Sequence, residues 1–145
     1  MRSKSSRGVW TFFYGSFMNP AVLARANVRP TAPRRARLEG WDIDIRPRAT
    51  LVPSKRRSVY GILAKVTHTD LAKLYAKDWF NFGKYVPEAV IVSDAQRRRV
   101  AAMCYIAWRN HGGRPAPDYL ERIVSTAVRY RFPRWYIERI KAFGR

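Results

Sequence analysis

The chain has 145 residues, of which 47% are hydrophobic and 14% aromatic, so it can bury the core of one domain. Its 29 Lys and Arg against 10 Asp and Glu give a net charge of +19, which favours contact with anions without identifying a partner. There is no apolar run of about 18 residues and no secretory signal, so we expect a cytoplasmic protein with no membrane partner. We expect residues 1–8 to be a flexible basic N-terminus and residues 9–145 to form a single domain.

Five segments have the patterns of β-strands. Residues 9–14 are apolar and aromatic, and residues 37–46 alternate apolar with polar side chains, with a bulge predicted at Glu39 and Gly40. Residues 58–66 form a further apolar run. Residues 85–92 and 100–108 flank a polar connection, which is typical of a β-hairpin.

Helices are predicted around and after these strands. One starts at Asn19 and Pro20, and another covers residues 70–77 after a cap by Thr67 or Thr69. Asp118 is predicted to cap a helix to about residue 131, with Val128 on its core face. Pro133 separates it from a last helix over residues 134–143. Because strands come first and the longer helices last, we predict an α+β fold: a small curled mixed sheet or barrel with flanking helices.

The turn after the first strand is a candidate anion site. Gly15 can take a positive φ or allow close approach of the backbone, and the amides of the following turn would then face a carboxylate. A strand, a glycine and a helix start also describe an ordinary structural connection.

Few residues are suited to chemistry. His68 and His111 lack the spacing of a metal site, and Ser16 lacks the Gly-x-Ser-x-Gly pattern of a hydrolase, so we predict no metal and no cofactor. The single cysteine, Cys104, lies in an apolar run and is expected to be a buried hydrophobe.

Asp78 is the carboxylate best placed for proton transfer. It precedes an aromatic segment, residues 79–85, where desolvation would raise its pKa and make it a proton acceptor near neutrality. A plain helix-end residue is the alternative. The other carboxylates, including Asp44 and Asp94, are expected at exposed faces, caps and turns.

Four segments together resemble the γ-glutamylcyclotransferase family and its AIG2-like relatives: residues 14–16 (Tyr-Gly-Ser), 59–63, 70–85 and 115–119. The resemblance implies cofactor-free release of 5-oxoproline from a γ-glutamyl amine or peptide, by attack of the α-amine on the γ-carbonyl. It assigns proton transfer to Asp78. It assigns substrate binding to Tyr14, Gly15, Ser16, Phe17, Tyr85, Tyr105 and Tyr119.

The sequence departs from the family pattern at three positions. Asp78 replaces a glutamate and is one methylene shorter, and Trp79 replaces the usual glycine. Phe17 replaces a common asparagine, at a position where AIG2-like members also have an apolar residue. The alternative function is therefore an inactive homologue that binds an anionic metabolite or nucleic acid. Nucleic-acid binding rests on charge alone, since the chain has no nucleic-acid-binding motif.

Overall fold

The structure is a computed structural model that describes residues 8–75, 85–108 and 112–145. Five strands are present: β1 (Val9–Phe13), β2 (Thr31–Ile45), β3 (Ala49–Val66), β4 (Tyr85–Asp94) and β5 (Arg99–Ala107). A short 3₁₀ turn, Ser16–Met18, follows β1. The helices are α1 (Pro20–Arg25), α2 (His68–Tyr75), α3 (Pro117–Arg129) and α4 (Arg134–Ala142).

The strands close into a barrel in the order β1-β3-β2-β4-β5. Neighbouring strands are antiparallel except β1 and β5, which run parallel where Thr11 pairs with Met103. The predicted α+β fold, a small mixed barrel with flanking helices, is confirmed.

The barrel interior is closely packed around Phe12. A Cβ on Gly61 would overlap both the Phe12 ring and the carbonyl oxygen of Phe13. The paired strands β1 and β3 can therefore lie this close together only because residue 61 is a glycine. Leu63 and Ile106, both fully buried, belong to the same core. This packing fixes the end of β1 and hence the turn that follows it.

The β2–β3 hairpin is longer than its sequence indicates. β2 begins at Thr31 rather than residue 37, and β3 begins at Ala49 rather than residue 58. The polar run at residues 55–57 resembles a turn, but it is an exposed part of the strand that does not face the core. The predicted bulge is confirmed, since the register shifts between Glu39 and Trp41 and Gly40 has φ of 87°.

Helix starts agree with the capping pattern in two cases. Asn19 accepts a hydrogen bond from the Ala21 N–H at 2.9 Å, and Thr67 Oγ1 accepts one from the Asp70 N–H at 3.1 Å. The predicted end of α2 at residue 77 lies outside the described residues.

The boundaries of α3 differ from the prediction. Its N-cap is Ala116, because Pro117 occupies the first helical position, so Asp118 lies inside the first turn and pairs with Arg122 at 3.3 Å. The predicted core position of Val128 is also wrong. Its side chain is exposed, because it shares the outer face of α3 with the exposed Glu121 and Ser125, four and three residues apart along the helix.

Two carboxylates predicted to be exposed are buried. Asp44 pairs with Arg46 at 2.7 Å, and Asp94 accepts hydrogen bonds from the chain that follows it. Ionic and hydrogen-bond partners satisfy these groups, which the strand pattern does not reveal. Among the described residues, no helix has the length and apolarity needed to cross a membrane.

Candidate active site

The turn after β1 presents backbone donors at the barrel end. The Met18 N–H donates to the Gly15 carbonyl and the Asn19 N–H to the Ser16 carbonyl, both at 3.0 Å. No described residue accepts a hydrogen bond from the N–H of Ser16 or Phe17. These two amides are the unpaired donors expected at the start of such a turn.

Gly15 is required by packing and not by a left-handed backbone. Its φ is −114°, so of the two reasons expected for a glycine here, a positive φ or close approach of the backbone, the structure shows the second. A Cβ built on Gly15 would lie 3.0 Å from Ala49 Cβ and 3.7 Å from Tyr119 Oη. The glycine therefore allows the turn to approach the start of β3.

A small cavity, open to solvent at its mouth, lies beside this turn. Among the residues predicted to bind substrate, the structure brings these to its wall: Tyr14, Gly15, Ser16, Phe17, Tyr85 and Tyr119. The wall also contains Phe13, Ala49 and Tyr75, which the sequence reasoning missed. For Tyr75 a signal was available, because it follows Leu71 by four residues and so shares the buried face of α2.

Ala49 connects two of the tyrosines. Tyr85 Oη donates to the Ala49 carbonyl at 2.6 Å, and the Ala49 N–H donates to Tyr119 Oη at 2.9 Å. The next residue, Thr50, exchanges hydrogen bonds with Ala107 at the end of β5, at 2.5 and 3.0 Å. The start of β3 is thus held to β5, and it positions one tyrosine from β4 and one from α3.

Tyr105 supports the cavity without lining it. Its ring stacks on that of Tyr75, with centroids 3.8 Å apart and 8° between the planes, and its carbonyl accepts a hydrogen bond from Tyr14 Oη at 2.6 Å. Tyr14 just after β1, Tyr75 of α2 and Tyr105 of β5 are therefore held together at one end of the barrel.

The tyrosine hydroxyls of the cavity stay neutral at physiological pH. Burial raises the pKa of Tyr14 and of Tyr75 well above the usual value, and nearby tyrosines and Cys104 add to it. Burial also raises the pKa of Tyr119, although the hydrogen bond from Ala49 and the charge of Arg48 oppose the shift. Neutral hydroxyls do not repel an anionic ligand.

Arg48 supplies a positive charge next to the cavity. Its guanidinium lies 4.5 Å from the centre of the Tyr119 ring, and it acts on both Tyr119 and Tyr85 to favour their ionised forms. The sequence reasoning did not select Arg48, because only the hairpin between β2 and β3 brings it to this end of the barrel.

Four other candidates lie away from the cavity wall or outside the described residues. Asp78 and His111 lie outside them. His68 is exposed at the start of α2. Cys104 is buried in the barrel, and desolvation, with a contribution from Glu88, raises its pKa to about 12, so its thiol is protonated at physiological pH and is a poor nucleophile.

Residues 58–140, more than half of the chain, match the sequence model of the AIG2-like family. The chain belongs to the AIG2-like family. The turn at residues 14–17 lies outside the matched region, whereas Tyr75, Tyr85 and Tyr119 lie within it. Comparison with curated protein sequences gave no match.

Solved structures show the same fold. A protein named gamma-glutamyl cyclotransferase superposes with a TM-score of 0.78 at 21% identity, covering 93% of this chain and 87% of that one. An uncharacterised human protein gives a TM-score of 0.80 at 22% identity, covering 94% and 88%. A mouse AIG2-like protein gives 0.55 at 16% identity, covering 79% and 83%.

Proposed function

We propose that this AIG2-like protein is a γ-glutamylcyclotransferase that releases 5-oxoproline from a γ-glutamyl amine or peptide. The observation that carries the proposal is the cavity between the turn of residues 14–17 and the tyrosines of α2, β4 and α3. Similarity in fold to a protein named gamma-glutamyl cyclotransferase supports the same reaction class.

The turn is suited to the α-carboxylate of the glutamyl group. The free N–H groups of Ser16 and Phe17 are donors for an anion, and the absence of a side chain on Gly15 leaves the backbone accessible from the cavity. Arg48 adds a positive charge on the Tyr119 side, which further favours an anionic ligand. A carboxylate held here would leave the γ-carbonyl free to face the remaining tyrosines.

Cyclisation then needs one group that moves a proton. The α-ammonium loses a proton and the amine attacks the γ-carbonyl carbon, forming the ring C–N bond. The bond from that carbon to the leaving amine breaks as the departing nitrogen takes up the proton. The ring nitrogen loses its second proton to give the lactam, and the released amine is protonated in solution. One carboxylate can accept the proton in the first step and return it in the last, and we assign this role to Asp78.

Connectivity is consistent with that assignment. Tyr75 and Tyr85, the last and first described residues on either side of residues 76–84, both line the cavity. Asp78 is three residues from Tyr75, so their Cα atoms are at most about 11 Å apart. The shorter side chain withdraws the carboxylate by about 1.5 Å relative to a glutamate, which the position of the backbone must offset.

The direct test is 5-oxoproline release by the purified chain. We expect product from γ-glutamyl dipeptides and γ-glutamyl amines in stoichiometric amounts with the released amine, measured by mass spectrometry without added metal or cofactor. Absence of product across a broad substrate panel at high protein concentration would overturn the proposal. Binding of those substrates without turnover would instead identify the inactive homologue.

Substitution of Asp78 tests the proton transfer. We expect Asp78→Asn to lower kcat by at least about 100-fold, the lower end of general acid–base contributions, while Asp78→Glu keeps measurable release. Glu121→Gln removes an exposed carboxylate on α3 and is the matched control, with kcat unchanged. Equal activity in Asp78→Asn and the wild type would exclude Asp78 as the proton carrier.

A further inference from the structure

Folding brings together basic groups that are far apart in the sequence. Arg37 on β2 pairs with Ser93 on β4, and Ser93 pairs in turn with Arg99 on β5. The Arg35 guanidinium donates to the carbonyl of Arg131, just beyond the end of α3, at 2.8 Å. Arg35 and Arg37 of β2 and Arg97 of the β4–β5 turn therefore lie on one outer face of the barrel, and none of them lines the cavity described above.

These elements border a groove on the outer face of β2 and β4. It holds about 1070 Å³ of empty space open to solvent, and its lining contains three arginines and one acid: Arg35, Ala36, Arg37, Tyr60, Ser93, Asp94, Ala95 and Arg97. A concave surface of this kind admits an extended chain more readily than a flat bilayer.

The groove keeps most of its positive charge. Among the described residues, no carboxylate lies within ion-pair distance of Arg35, Arg97 or Arg99. The nearest buried acid, Asp94, is already paired with Arg98 at 3.0 Å and with Arg34 at 3.5 Å. Arg37 alone among the arginines that line the groove pairs with an acid, the exposed Glu39. Arginines without a carboxylate partner repel one another, and binding of an anion in the groove would relieve that repulsion.

An exposed tryptophan stands at the edge of this groove. Trp135, at the start of α4, is 52% exposed, and its ring centre lies 6.2 Å from that of Tyr60 in the groove. Tyr60 also contacts Phe132 and Tyr136, so the ring beneath Trp135 is firmly packed. An open indole beside arginines can stack on an unpaired base, which a duplex does not offer.

We propose that this groove binds single-stranded nucleic acid, with arginines on the phosphates and Trp135 stacking on a base. The combination of unpaired arginines, a concave surface and an exposed aromatic ring carries the proposal. It is independent of the cyclotransferase reaction, since none of these residues lines the cavity.

The test uses fluorescence anisotropy of the full chain with labelled U-rich RNA and T-rich DNA of about 12 nucleotides. Log affinity should fall linearly with log salt between about 50 and 200 mM. Duplexes of the same length and anionic lipid vesicles are the other two arms. Tighter binding to duplex or vesicles than to both single strands would overturn the proposal.

Two charge-matched variants locate the surface. One combines Arg35→Gln, Arg37→Gln and Arg97→Gln, which line the groove. The control combines Lys55→Gln, Arg56→Gln and Arg57→Gln, which are exposed on β3. Both lower the net charge by three. We expect the groove variant to lose at least about tenfold in affinity and to reduce the salt slope by about 2, since each single-strand phosphate contact contributes about 0.7. Equal losses in the two variants would show that only net charge matters.

Tryptophan substitution tests stacking. Trp135→Ala should weaken binding to single strands by about tenfold, and Trp135→Phe should retain most of the affinity. Trp108→Ala, at a tryptophan of similar exposure that does not line the groove, should have no effect. Circular dichroism checks that each variant is folded. Unchanged affinity in a folded Trp135→Ala variant would refute the stacking contact and with it the proposal.

Discussion

Gly15 shows which of two possible roles a glycine plays in a turn. Its place between a strand and a helix start predicts a positive φ or a close approach of the backbone, and its φ lies in the ordinary negative range. What the position excludes is a side chain, because Ala49 and Tyr119 stand on the other side of a narrow gap. Ser16 and Phe17, whose N–H groups have no acceptor among the described residues, line the cavity beside this gap.

We therefore expect Gly15→Ala to impair the site more than the fold. Its Cβ would meet Ala49 Cβ at 3.0 Å, a contact that a shift of a few tenths of an ångström relieves. The expected loss of stability is about 1 kcal/mol, whereas 5-oxoproline release should fall at least about tenfold because the turn moves. Thermal unfolding and initial rates measure the two effects.

Ser16→Ala provides the control in the same turn. It removes a hydroxyl and keeps the backbone N–H, so release should stay within a few-fold of the wild type if the amide binds the carboxylate. A larger loss in Ser16→Ala than in Gly15→Ala would contradict the backbone-cradle interpretation.

At the scale of elements, the β4–β5 hairpin illustrates a tight turn held by a buried acid. Asp94 Oδ1 accepts hydrogen bonds from the N–H groups of Gln96 and Arg98, both at 2.9 Å, and Arg97 takes a φ of 63° between them. Burial alone would raise the pKa of Asp94. The hydrogen bonds from Arg98 and Gln96 and the charge of Arg98 outweigh burial and lower it.

This lowered pKa predicts a pH dependence of stability. An acid whose pKa is lower in the folded state stabilises the protein above its unfolded pKa, about 3.9, and that contribution is lost as pH falls through the folded value. The difference in unfolding free energy between the wild type and Asp94→Asn should therefore shrink as pH is lowered below about 4. Urea unfolding at several pH values measures it.

Glu121→Gln is the control for this pH series, because Glu121 is exposed on α3 and makes no ion pair with a described residue. Its stability difference from the wild type should be small at every pH. A gap between wild type and Asp94→Asn that widens on acidification would contradict the role assigned to the turn.

At the scale of the whole molecule, charge is the dominant feature. The formal net charge of +19 is what remains after the 10 acids are counted against the 29 Lys and Arg, so ion pairs within the chain cannot neutralise it. Repulsion among these positive charges opposes the compact state, since unfolding separates the charges.

Salt is therefore expected to stabilise the protein. Raising NaCl from about 50 mM to about 500 mM shortens the Debye length from over 10 Å to about 4 Å and should raise the thermal midpoint. The groove variant, with three fewer positive charges, should respond less than the wild type. A midpoint that falls with NaCl would mean that ion pairs such as Arg139 with Asp42, which ties α4 to β2, dominate the electrostatics.

The sequence by itself determined the elements and their class. The alternation of apolar and polar side chains, the helix-capping residues and the glycine turn depend on residues only a few positions apart. For that reason the bounds of β1, the β4–β5 hairpin and α4 were predictable to within one or two residues. The family pattern likewise selected most of the residues that line the cavity.

Only the tertiary structure decided which distant residues meet. Ala49, Tyr75 and Arg48 reach the cavity because strand register and barrel closure bring them there. Arginines of β2 and of the β4–β5 turn share one groove for the same reason. Contacts between residues tens of positions apart depend on how whole elements pack, which local patterns do not encode. The buried Asp44 and Asp94 belong here too, because their hydrogen-bond and ionic partners, not their own polarity, make burial favourable.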